Sequence, residues 1–151
     1  MSQSLSKLYV HIVFHVKNNL ILIRNEDKND LYAYMGSIIK DNASITIIIN
    51  GVGDHVHILC IMSKNIALSK LTEEIKRHSS RWIKTRGKHY EHFAWQGGYG
   101  GFSVSHTLHD TIKRYIANQE EHHKKMTFKE ELIIFLDDYG IDYNEQYLWT
   151  D

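Results

Sequence analysis

A chain of 151 residues is long enough to bury a core without disulfides or structural metals and short for a second domain. Its 18 basic and 18 acidic residues cancel, so any nucleic-acid partner must be met by a local patch and not by overall charge. A single cysteine, Cys60, excludes an internal disulfide, and no uninterrupted apolar stretch reads as a leader or a membrane span; a cytosolic protein in a reducing compartment is expected.

Leu8, Val10, Ile12, Phe14 and Val16 alternate with Tyr9, His11, Val13 and His15, the period of two expected of a first strand with one strongly apolar face. From Glu26 to Asn42, Leu31, Tyr34, Met35, Ile38 and Ile39 follow helical spacing. The isoleucine-rich run from Ser44 to Asn50, the turn residues Gly51-Val52-Gly53-Asp54 and the run from Val56 to Met62 predict a hairpin, with Cys60 as a buried, inert thiol. Ala67 to Arg86 places Leu68, Leu71, Ile75, Ser79 and Trp82 on one face of a second helix. A fourth strand lies either between His92 and Gln96 or around Phe102 to Val104. The intervening run Gly97-Gly98-Tyr99-Gly100-Gly101 reads as a simple turn or as a mobile hinge. His106 to Lys125 predicts a third helix, and Thr127 to Tyr139 a last one.

No proline, repeat or low-complexity stretch marks a linker, so residues 1–151 read as one unit. The order β-α-β-β-α-β, then helix, is the ferredoxin-like split βαβ plan. That is an α+β fold: an antiparallel sheet with two helices on one face, its other face open, and a C-terminal helix that carries a tyrosine.

On a strand, residues two apart point the same way, so His55 and His57 project together on the open face while Val56, Ile58, Cys60 and Met62 enter the core. Two adjacent imidazoles are half of a metal site, or simply a product of strand alternation. In the third helix, Leu108, Ile112, Tyr115 and Gln119 share one stripe. If that stripe docks over the open face, the Gln119 carbonyl oxygen completes the histidine site and Tyr115 sits one turn away. Otherwise Tyr115 is a core aromatic and Gln119 a boundary residue. On the second helix Arg77, Arg81 and Lys84 continue a basic stripe whose first half is neutralised by Glu73 and Glu74, giving either phosphate contacts or a solvated face.

Several stretches together resemble a known family: Tyr9-Val10-His11-Ile12-Val13-Phe14, Asp54-His55-Val56-His57-Ile58-Leu59, Ser79-Ser80-Arg81-Trp82, Trp95 to Ser105, Tyr115-Ile116-Ala117-Asn118-Gln119 and Gly140 to Trp149. They are similar to the small single-tyrosine HUH transposases, the TnpA-like enzymes that move insertion sequences as single-stranded DNA, and their REP-associated relatives. The resemblance implies His55, His57 and Gln119 as ligands of a divalent metal, Mg²⁺ or Mn²⁺, and Tyr115 as the nucleophile that forms a 5′-phosphotyrosine. It also implies hairpin-ended single-stranded DNA of a mobile element as substrate, a nucleoid-associated location, and a homodimer in which one subunit's tyrosine helix completes the other's histidine site. The competing expectation is a ferredoxin-like nucleic-acid-binding module without catalysis.

Overall fold

Alternation and spacing translate directly into elements in a computed structural model, which describes residues 2–149. Strand β1 (Leu8–His15) leads to α1 (Asn25–Asp41), then β2 (Ile45–Val52), β3 (His55–Met62), α2 (Leu68–Ile83) and β4 (Gly100–Val104). The four strands lie in the order β2-β3-β1-β4, every neighbouring pair antiparallel, which is the ferredoxin-like plan. One face of the sheet sets Val10, Ile12, Phe14, Val56, Ile58 and Cys60 against Leu31, Met35 and Ile39 of α1 and Leu71 and Ile75 of α2. Cys60 is a free thiol here, and burial pushes its pKa up to about 12. Trp82, expected in this core, is half-buried at its margin, stacked on Tyr34 at 5.3 Å with the Arg86 guanidinium over its ring.

The β2–β3 turn is tighter than its glycines suggest. Val52 already pairs with His55, leaving Gly53-Asp54 as a two-residue connection, and Gly51 lies inside β2 opposite Val56. A Cβ at Gly51 would stand 2.2 Å from the His55 carbonyl oxygen, so only glycine permits this approach.

Three expectations are corrected. The glycine-rich run is not a connection throughout: its last two residues, Gly100 and Gly101, belong to β4, paired with Val13 and Ile12, and a Cβ at Gly101 would meet Leu68 Cδ2 at 2.7 Å. Close packing explains the small residue. The third helix is not continuous: after a 3-10 turn at His106–Leu108, α3 (His109–Ala117) ends at Asn118 (φ −99°, ψ 23°) and α4 (Gln119–His122) begins anew. The carbonyls freed by that break are satisfied from the sheet, since Asn50 Nδ2 donates to Ile116 O at 2.9 Å and Ala117 O at 3.2 Å.

Finally, the second sheet face is covered. Helix α5 (Phe128–Asp138), capped by Thr127 Oγ1 accepting from Glu130 N, lays Phe128, Leu132 and Leu136 over Val13 and Phe102. An amphipathic helix must bury its apolar stripe, and this face presents apolar side chains to receive it. A short α6 (Glu145–Leu148) follows. Among the described residues no helix is long and apolar enough to cross a membrane.

Candidate metal and nucleophile site

The antiparallel register decides which histidines meet. His15 lies opposite His55 and Val13 opposite His57, so His11, two residues before Val13, sits diagonally from His57 on the same face. His55 and His57 do project together, as the period of two requires, but α4 and α5 bury both completely. The break at Asn118 turns Gln119 into the same space, also fully buried. Its Oε1 stands 3.0 Å from His55 Nε2. Tyr115, on α3 one turn earlier, is half-buried beside His57, ring centroids 6.1 Å apart.

Glu131 joins these groups from α5. Its Oε1 lies 2.8 Å from His57 Nε2 and 3.4 Å from His55 Nε2, while Oε2 accepts from the Tyr115 hydroxyl and, at 3.1 Å, from Gln119 Nε2. His123 Nε2 closes the cluster at 3.1 Å from Gln119 Oε1 and 3.2 Å from Glu131 Oε1. Sequence reasoning missed Glu131, His11 and His123. For Glu131 a signal existed: a carboxylate within the Phe128, Leu132, Leu136 stripe is a charge on a buried face, which is rare unless it is paired.

The protonation pattern follows from partners. Asp54 Oδ1 is 2.7 Å from His55 Nδ1, fixing Nδ1–H as a donor and turning Nε2 toward Gln119 and Glu131. Burial disfavours charge on His55, but its hydrogen bonds to Asp54 and Glu131 outweigh that and raise it to about 9. His57 is different: burial lowers it to about 4, and its Nδ1 lies in a hydrogen bond with His11 Nε2, 2.7 Å apart. Burial also works against the Glu131 carboxylate, yet the hydrogen bonds from His123, His55 and His57 hold it far below the usual range. Tyr115 is pushed well above its ordinary value by burial and by the adjacent Glu131 carboxylate.

These donors suit a cation. One nitrogen or oxygen from each of His55, His57 and Glu131 lies within 4.8 Å of the others, and Gln119 Oε1 faces the same point. With Nδ1–H committed to Asp54, a neutral His55 would set its Nε2 lone pair against the oxygens of Gln119 and Glu131. Something positive must intervene: a proton on Nε2, as the raised His55 indicates, or a metal ion in its place.

Arg77, Arg81 and Lys84 are not brought to this cluster. They lie on or just after α2, across the sheet from the histidines, and Arg77 is tied to Glu74 at 2.8 Å.

Residues 4–119 match the family described as "Transposase IS200 like". Among solved structures, a Deinococcus radiodurans R1 protein assigned as a transposase is similar with a TM-score of 0.61 at 20% identity, covering 79% of this chain and 98% of that one. A REP-associated tyrosine transposase bound to a REP hairpin is similar with a TM-score of 0.53 at 12% identity, covering 79% and 70%. None of the curated proteins compared matches the chain in sequence. The structural likenesses speak to the fold, and the sequence match spans both the His55-Val56-His57 strand and the Tyr115–Gln119 segment: the chain belongs to the IS200-like transposase family.

Proposed function

We propose that this protein is a metal-dependent single-stranded DNA transposase in which Tyr115 cleaves and rejoins DNA. One observation carries the reading. A single carboxylate, Glu131, offers Oε1 to both imidazoles of His55 and His57 and Oε2 to the Tyr115 hydroxyl, so metal donors and nucleophile are joined through one side chain. His55 Nε2, His57 Nε2, Gln119 Oε1 and Glu131 would hold the cation, Mg²⁺ or Mn²⁺. When bound, the cation polarises a phosphoryl oxygen as a Lewis acid.

The reaction forms a bond from Tyr115 Oη to phosphorus and breaks the bond to the 3′ oxygen, leaving a 5′-phosphotyrosine and a 3′-hydroxyl. Glu131 Oε2 already receives the phenolic hydrogen bond and so aims Tyr115 Oη; its carboxyl, held far below the usual range, is no base for the phenol, whose proton is given up to solvent while the departing 3′ oxygen takes one from it. Attack by another 3′-hydroxyl reverses the step and regenerates the phenol, so rejoining needs no external energy source. Two DNA ends require two nucleophiles, which favours a homodimer. Arg81 and Lys84, remote from the cut phosphate, are left to contact the backbone of a folded hairpin, with Arg77 if it leaves Glu74. We further propose that residues 1–151 act as one HUH domain and that it works on DNA in the cytoplasm, at the nucleoid.

A non-catalytic module would bind bases on the open face of the sheet. That face is covered by α5 and carries a buried ionisable cluster, which such a module does not need. Labelled hairpin-containing single-stranded DNA incubated with Mg²⁺ or Mn²⁺ is expected to give a denaturation-resistant protein–DNA adduct, and Tyr115→Phe should abolish it. An adduct that persists in the variant would sink the reading.

A further inference from the structure

Next to the metal donors runs a groove that the chemistry above does not use. It comprises two adjoining cavities of about 430 and 590 Å³ that share Asn19, Asp54, Thr127 and Phe128. Asp54, which holds His55 Nδ1, therefore forms a wall of both.

The smaller cavity has the features of a base seat. Phe128 and Trp149 present their rings at 78° to one another, centroids 6.4 Å apart, and Lys129 lies over the Trp149 ring at 5.2 Å. His15 forms part of the wall between them, its ring 5.5 Å from Phe128 and 6.4 Å from Trp149. It is 5% exposed, and its Nδ1–H donates to Val16 O at 2.8 Å. That commits Nε2 to be an acceptor, and Nε2 is buried without a hydrogen-bond partner among the described residues. A buried acceptor left unmatched is costly and calls for a donor. At the mouth, Asn18 and Asn19 both adopt left-handed backbone (φ 53° and 52°), a conformation that asparagine tolerates better than most and that tends to persist at ligand sites. Their amides supply both a donor and an acceptor. The larger cavity is lined by Lys124 and Lys125, which suit phosphates.

We propose that the smaller cavity seats one unpaired nucleobase of the DNA strand next to the cut, stacked on Trp149 with its edge toward Phe128 and donating a hydrogen bond to His15 Nε2, while Lys124 and Lys125 follow the backbone. This rests on the transposase reading for the identity of the strand. Each natural base carries an N–H able to meet His15, so the seat selects for the presence of a base, with Asn18 and Asn19 at its rim.

The test measures binding in a Tyr115→Phe background, where no covalent step intervenes. Fluorescence anisotropy compares a mixed-sequence single strand of roughly 12 nucleotides with an abasic strand carrying the same phosphates. The base-bearing strand is expected to bind about tenfold tighter, Trp149→Ala to bring that ratio toward one, and Trp149→Phe to retain most of it. In protein labelled at histidine nitrogen, His15 Nε2 should shift with the base-bearing strand and not with the abasic one, a readout that needs no change at the seat itself. Equal binding of the two strands, a ratio unchanged in a folded Trp149→Ala protein, or an unmoved His15 resonance overturns the seat. The transposase reading fails separately: wild-type protein that forms no adduct yet keeps the base-dependent ratio loses the chemistry and keeps the pocket.

Discussion

At the level of single residues, two histidines on the same strand face have opposite proton preferences because their neighbours differ. His55 has a carboxylate on each side, whereas His57 has another buried imidazole on its Nδ1 side. The folded value of His55, about 9, is above the ordinary 6.5, so its contribution to stability is complete below pH 6.5 and is lost as pH rises through about 9. The folded value of His57, about 4, is below it, so its contribution is complete above pH 6.5 and is lost as pH falls through about 4. In a chelator, thermal unfolding should therefore show greatest stability near pH 6.5, with His55→Gln flattening the alkaline limb. A stability that climbs steadily from pH 6.5 to 9 would contradict this assignment. Saturating Mn²⁺ should raise the melting temperature, by an amount worth about 2.7 kcal/mol at one hundred times its Kd, and fail to do so in His55→Ala/His57→Ala protein.

Among the elements, α5 is the one whose role exceeds what its sequence announces. Its helical period is plain from residues 127–139, but nothing local says which surface receives it. Sheet packing decides, because Val13 and Phe102 complete its apolar stripe and bring Glu131 over the histidines. Leu132, nearly buried one residue after Glu131, should reveal this coupling. Leu132→Ala is expected to cost about 2–5 kcal/mol by leaving a cavity, measured by urea unfolding, and also to weaken Mn²⁺ binding through a loosened Glu131. Unaltered metal affinity at reduced stability would separate α5 from the site. The α3–α4 break has a similar origin. Tyr115 and Gln119 were expected on one stripe of one helix. They do reach one site, but through a break at Asn118 whose carbonyls depend on Asn50 of β2, a contact between residues far apart in the chain.

At the scale of the whole molecule, His55, His57, Gln119, Glu131 and Tyr115 of a single chain lie together. Mixing Tyr115→Phe protein with His55→Ala/His57→Ala protein should thus restore no adduct, since every chain would lack one half of its own site. Restored adduct would show exchange of the tyrosine helix between subunits. The ferredoxin-like plan and the pairing of His55 with His57 could be read from the sequence, because each rests on local periodicity, a period of two in strands and 3.6 in helices, whereas Tyr115 and Gln119 come together through a break that helical periodicity does not announce. Glu131, His11 and His123 could not be read with them, nor could the covered sheet face. Those depend on strand register and on the docking of α5, where apolar contacts distant in sequence determine which charged and polar groups are taken out of water together.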